Sequence, residues 1–203
     1  MVNFLLGTNK MLSEPIQVTL LVTKVFDQIN IPYLVGGSLA SAVHGVVRAT
    51  LDADIIADIN QEQVNELIKQ LQAAFYIDEE MVRNAIKERG SFNIIHLDTM
   101  FKVDIFLLKK RAFDQNQMER RVLQTLGPEQ AEKAYVSTVE DIILAKLEWF
   151  RSGGEISDRQ WRDILGVLQI QWDRINFSDL QKWAKSLGVS DLLERARNEA
   201  KPS

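Results

Sequence analysis

Apolar residues recur along the chain with two different periods, and the switches between them mark out elements. From Ser13 to about Ile29 the apolar positions, among them Ile16, Leu20, Val25 and Phe26, predict a helix. Its start is Ser13-Glu14-Pro15, a serine N-cap with proline in the first turn. Ile31 to Val35 is a short apolar run that ends at Gly36-Gly37 and predicts a buried strand. Ser38 to Gly45 predicts a short helix closed by glycine. Asp52 to Asp58 predicts a second strand, and Asn60 caps a helix running to about Phe75 on Val64, Leu67, Ile68 and Leu71. A further helix spans Asp78 to Arg89, ended by Gly90. Ser91–Leu97 and Phe101–Leu108 flank Asp98-Thr99-Met100 in the pattern of a hairpin.

Residues 110–136 carry the weakest pattern; they predict a short helix or loop with room for one more strand. Beyond them the signal is helical. Ser137-Thr138-Val139-Glu140 and Ser157-Asp158-Arg159-Gln160 both read as capping boxes, opening helices to about Arg151 and Gln171. Ser152-Gly153-Gly154 separates the two. Ser178–Leu187 and Ser190–Glu199 follow as helices on either side of Gly188. The chain thus predicts an α/β domain over residues 1–136 and an all-helical C-terminal domain over 137–203, with no internal repeat.

Composition narrows the chemistry. The 203 residues are 46% hydrophobic and 26% charged, an ordinary globular balance. There is no cysteine, which removes disulfides, thiolate metal sites and cysteine nucleophiles, and two histidines are too few for a multi-histidine metal site. A metal here would be held by carboxylates, which selects a hard ion, Mg²⁺ or Mn²⁺. No apolar run approaches the roughly 18 residues of a membrane span, and the N-terminal MVNFLLGTNKM lacks the basic region of a signal peptide, so the expected location is cytoplasmic, with no membrane partner. The net charge of −4 argues against a dedicated DNA-binder. It hides an asymmetry: residues 81–121 carry 9 basic against 5 acidic side chains, either a solvated surface or a local phosphate-attracting face.

Three short motifs carry candidate chemistry, and each alone has an ordinary structural explanation. Gly36-Gly37-Ser38 turns from strand to helix; it is a tight turn, or one that lets a phosphate approach the backbone. Asp52 and Asp54 lie two apart on a strand and project from one face, where two carboxylates repel unless solvated or bridged by a cation. Asp104 interrupts an apolar strand between Val103 and Ile105. If that strand lies beside Asp52–Asp58, three carboxylates converge, as two-metal phosphoryl transfer requires.

In this order, with thirteen residues between Ser38 and Asp52, the motifs resemble the polymerase-beta-like nucleotidyltransferase superfamily. The phrasing Arg48-x-Thr50-x-Asp52-x-Asp54 is most similar to its minimal and abortive-infection toxin branches. The resemblance covers residues 30–110 firmly and the helical half loosely. It implies a nucleotidyltransferase fold, a small mixed sheet with helices on one side, followed by the helical region. It also implies magnesium-dependent transfer of a nucleoside monophosphate from a nucleoside triphosphate to an acceptor hydroxyl on a protein, an RNA or a small molecule, in a setting that includes toxin–antitoxin pairs. Asp52 and Asp54 would hold metal ions, and Asp104 would complete the site and orient or deprotonate the hydroxyl. Gly36, Gly37 and Ser38 would contact the β- and γ-phosphates, and Arg48 or Lys146 would neutralise phosphate charge. The toxin branch also carries a helical C-terminal region with basic residues, and Asp141 and Lys146 in the Glu140–Phe150 helix look like candidates for that role. An antitoxin or a second copy of the chain would be the expected protein partner. The alternative is a nucleotide- or partner-binding module of the same fold without turnover.

Other polar and aromatic residues have competing readings. His44, at a helix end, and His96, in a strand, read as packing or capping residues, and Asp58 as the start of a turn. Trp149, Trp161, Trp172 and Trp183 read as helix-packing residues, with base stacking as the alternative. Arg159, Arg162 and Asp163 form surface ion pairs, or else face the cleft, where Arg162 would meet phosphate or acceptor.

Overall fold

The computed structural model describes residues 13–45, 50–127 and 132–201. Among these, strands β1 (Tyr33–Val35), β2 (Asp52–Ala57), β3 (Phe75–Tyr76), β4 (Ser91–His96), β5 (Lys102–Leu107), β6 (Val122–Thr125) and β7 (Lys133–Val136) form one mixed sheet. Its order is β3-β4-β5-β2-β1-β7-β6. β2 and β5 pair in parallel at its centre, and β1 runs antiparallel to β2.

Helices α1 (Glu14–Gln28), α2 (Gly37–Val43), α3 (Val64–Leu71), α4 (Glu79–Glu88) and α5 (Ala112–Glu119) are interleaved with the strands. Helices α6 (Val139–Ser152), α7 (Asp158–Gln171), α8 (Phe177–Leu187) and α9 (Ser190–Ala200) follow as the helical C-terminal region. The mixed sheet and the run of C-terminal helices agree with the fold expected from the sequence.

Alternation along β2 and β5 sorts the two faces of the sheet. Ala53, Ile55, Ala57, Val103, Ile105 and Leu107 are buried in an apolar cluster that also holds Val18, Val22 and Phe26 of α1. The opposite face carries Asp52, Asp54, Ile56, Lys102, Asp104 and Phe106, all half-buried. This second face is roofed by α6, whose Trp149 meets the Phe106 ring edge-on at 6.3 Å between centroids. The same apolar cluster continues through α6–α9 to Ala200, so one core joins the sheet to the helical region.

Three details depart from the sequence pattern. Phe75 lies in the short edge strand β3, not at the end of α3, because Leu71 closes the helix and Phe75 is needed against His96 on β4. The weakly patterned segment 110–136 supplies α5 and two strands, whose pairing with each other creates the order that local sequence does not show. The N-cap of α6 is Thr138, whose Oγ1 accepts from Asp141 N–H at 3.3 Å. Ser137, one residue earlier, directly follows β7 and is tied to the sheet: its N–H donates to Val35 O at 3.0 Å and its hydroxyl accepts from Gln117 Nε2 at 3.3 Å. The second capping signal holds, with Ser157 Oγ accepting from Gln160 N–H at 3.3 Å. Among the described residues no helix is long and apolar enough to cross a membrane.

Candidate active site

The parallel pairing of β2 with β5 sets Asp54 directly opposite Asp104 and Asp52 opposite Lys102. Register partners in a parallel pair point to the same face, so all three acids rise on the face roofed by α6. β1 brings in the glycine turn from the other flank. Val35 pairs with Ile55, and Gly36 N–H donates to Asp54 O at 2.8 Å. Gly37 then takes φ +56°, and the Asp54 carboxylate lies where its side chain would be: a Cβ there would stand 2.7 Å from Asp54 Cγ and 3.0 Å from Asp54 Cβ. Glycine is required twice over, by backbone conformation and by space. Thr50 Oγ1 donates to Asp52 O at 2.7 Å and lies 3.3 Å from Asp52 Oδ1, bracing the entry to β2.

These residues floor a cleft of about 750 Å³, within the size range of small-ligand sites. Gly36, Gly37, Ser38, Asp54, Asp104 and Phe106 line it from the sheet side. From α6 come Ile142, Ala145, Lys146, Trp149 and Ser152, whose spacing of three, four, seven and ten residues is one helical face. Arg159, Gln160 and Asp163 of α7 complete the roof, and Lys109 and Arg111 stand at one side. Lys146 is half-buried and pairs with Asp163 at 3.4 Å.

Electrostatics distinguish Asp54 from its neighbours. Burial, reinforced by the charges of Asp52 and Asp104, pushes its carboxyl up to about 6, against the pull of Lys146 and Lys102. Asp104 Oδ2 is 2.7 Å from the Lys102 ammonium. An all-carboxylate donor set on one face fits a hard divalent ion in kind. Among the described residues no three acidic or histidine side chains already close on one point as a metal shell; Asp104 is engaged by Lys102 instead.

Of the residues singled out in the sequence, Asp54, Asp104, Gly36, Gly37, Ser38 and Lys146 share the cleft. Asp52 is on the same strand face, outside the lining set. Arg48 lies outside the described residues. Asp141 is not part of the cleft: it is fully buried, accepts from Arg120 Nε and Nη2, and accepts from Thr138 Oγ1 at 2.9 Å. It therefore fastens α6 to the turn after α5. α7 does face the cleft, through Arg159 and not Arg162, which is exposed and folds back on Asp158 O at 3.3 Å.

His44 Nε2 meets Ser137 O at 2.9 Å, tying the end of α2 to the residue after β7, and His96 Nδ1 meets Thr99 Oγ1 at 3.0 Å within the β4–β5 turn. Trp161, Trp172 and Trp183 pack against Phe150, Phe177 and Phe113. Trp149 differs, being 60% exposed on the cleft wall. Much of the basic stretch 81–121 is neutralised by neighbours: Arg83 by Glu79, Arg89 by Asp58, Arg111 by Asp114 and Glu148, Arg120 by Asp141 and Asp179. In the sequence Lys102 and Arg111 counted only as members of the basic stretch, and Phe106 as an apolar strand residue, with no individual place in the site. The signal available for two of them was alternation, since Lys102 and Phe106 flank Asp104 at two residues on either side and share its face.

No family model and no curated protein matches the chain. Among solved structures it is similar to an antigenic nucleotidyltransferase-like protein from Paracoccidioides brasiliensis, at 14% identity and a TM-score of 0.50, covering 88% of this chain and 94% of that one. It is also similar to an antibiotic-resistance factor (16% identity, TM-score 0.46, 91% and 94% covered) and to a lincosamide antibiotic adenylyltransferase bound to lincomycin (16%, 0.46, 78% and 98%). At this identity the likeness is one of fold. The chain has the nucleotidyltransferase fold, in agreement with the resemblance read from its motifs.

Proposed function

We propose that the protein transfers a nucleoside monophosphate from a nucleoside triphosphate to an acceptor hydroxyl, with magnesium or manganese. The observation that carries this reading is the placement of the Gly36-Gly37-Ser38 turn against Asp54, with Asp104 in register beside it, on the floor of the cleft. The acceptor oxygen attacks the α-phosphorus, the bond from that phosphorus to the oxygen bridging the β-phosphate breaks, and pyrophosphate leaves. A bound divalent ion supplies positive charge to the phosphate oxygens and the leaving pyrophosphate. Asp52 and Asp54 would hold it, with Asp104 at their side. Asp104 orients the acceptor hydroxyl and takes its proton. Gly37 and Ser38 let the terminal phosphates sit against the backbone, and Lys146 balances their charge from above. Trp149 and Phe106 present aromatic surface at the far wall.

The acceptor is a hydroxyl on a protein side chain, an RNA end or a small molecule. The helical region 137–203 acts as a domain that closes the cleft and selects among them. A toxin–antitoxin setting belongs to the same reading, and its test is expression: the wild type should arrest growth and Asp54→Asn should not.

The direct test incubates the protein with each α-labelled nucleoside triphosphate, Mg²⁺ and pools of protein, RNA and small-molecule acceptors. The expected result is label transfer and pyrophosphate release by the wild type, abolished in Asp54→Asn and by chelation. Magnesium-dependent nucleotide binding without transfer to any pool would overturn turnover and leave a binding module.

A further inference from the structure

Lys102 stands two residues before Asp104 on β5, so the two side chains leave the same face of the sheet. Its ammonium is 2.7 Å from Asp104 Oδ2. The β2–β5 register sets it opposite Asp52 as well. One ammonium from the strand pair itself thus sits among the three carboxylates, occupying an oxygen that a divalent ion or an acceptor hydroxyl would need. A carboxylate oxygen at hydrogen-bond distance from an ammonium offers that lone pair to nothing else. The pair is also exchangeable. The Lys102 side chain is 43% exposed and reaches solvent on a flexible four-carbon stem, and half-exposed ion pairs are held weakly.

We propose that Lys102 is a positioning residue that holds Asp104 in reserve. In the free protein it engages Asp104, so that Asp52 and Asp54 meet a divalent ion without their third carboxylate. Arrival of the ion with its nucleotide displaces the ammonium, and Asp104 turns to the ion and the acceptor. The site then closes only when substrate is present, and the free protein has low affinity for bare metal. This rests on the carboxylate reading of the site given above, and it concerns binding, not turnover.

The test measures Mn²⁺ binding to the full chain without nucleotide, from the electron paramagnetic resonance signal of the free ion, for wild type, Lys102→Met, Lys102→Arg and the double variant Lys102→Met/Asp104→Asn. Lys102→Met should bind Mn²⁺ tighter than wild type by on the order of tenfold, the usual scale for a group that orients a metal ligand. Lys102→Arg, which keeps a cation on Asp104, should stay near wild type, and Asp104→Asn should cancel the gain. Thermal melts of each variant confirm folding. Unchanged, weaker or undetectable Mn²⁺ binding by Lys102→Met overturns the proposal. Adding Asp54→Asn separates the two failures. If it abolishes Mn²⁺ binding while Lys102→Met equals wild type, only the Lys102 role falls. If it leaves binding by Lys102→Met intact, the ion binds elsewhere and the carboxylate reading falls as well.

Discussion

Asp54 is the residue on which burial, charge and conformation meet. Its carboxyl titrates near 6, above the ordinary 3.8, because it is desolvated and flanked by two acids. A raised carboxyl contributes stability only while protonated, fully below about 4, and loses that contribution as pH rises through 6. At neutral pH the ionised group therefore destabilises the metal-free protein, by roughly 3 kcal/mol. Metal-free Asp54→Asn should accordingly melt higher than wild type at pH 8, with the gap closing toward pH 4. Melts across that range check this, and a gap independent of pH would contradict it. Gly37→Ala should act on the same carboxylate from the other side. Its Cβ would overlap the Asp54 side chain at a φ that favours glycine, so about 1–3 kcal/mol of stability should be lost together with transfer activity. Denaturant titration and labelled-nucleotide assays read the two effects separately.

Helix α6 serves the fold at one end and the cleft along one face. Asp141 in its first turn is fully buried against Arg120, which also reaches Asp179 of α8. Lys146 and Trp149 lie on the cleft-facing stripe. Removing one partner of a buried pair strands the other, so Asp141→Ala should lose about 3 kcal/mol in denaturant unfolding. Lys146→Met should cost less stability yet reduce nucleotidyl transfer at least roughly tenfold, as expected when a cation facing the phosphates is lost. Equal loss of stability in the two variants would merge the roles separated here. At the start of α7, Ser157→Ala should cost about 1 kcal/mol through the lost cap alone.

At the scale of the molecule, one apolar core runs from α1 under the sheet into α6–α9, and the cleft opens between the sheet's acidic face and that helical roof. A nucleotide held there contacts both halves, so binding should stabilise the whole chain. At 100 times its dissociation constant a ligand adds about 2.7 kcal/mol, roughly 5–10 °C in melting temperature for a chain of this size. The shift should require Mg²⁺ and vanish in Asp54→Asn. The nucleoside triphosphate giving the largest shift identifies the base, and quenching of Trp149 fluorescence on the cleft wall should accompany it. No shift with any nucleoside triphosphate would count against the nucleotide reading.

The local code of the chain determined most of its elements. Helical and alternating periods are properties of a few consecutive residues, and caps such as Ser157 act within one turn. The order Gly36-Gly37-Ser38, Asp52-x-Asp54, Asp104 was sufficient to point to a nucleotidyltransferase fold. What the tertiary structure alone decided are pairings between distant segments. Alternation puts Asp104 on one face of its strand, but only the β2–β5 register sets it beside Asp54, and only the crossing of β1 lays Gly37 against that carboxylate. The same holds for charge. Asp141 and Lys146 are five apart on one helix and both stood out in the sequence, yet Arg120, arriving from the turn after α5, buries the first in an ion pair. The second is left on the cleft wall. A side chain's burial and partners depend on contacts between residues far apart in the chain, and those exist only once the core has closed.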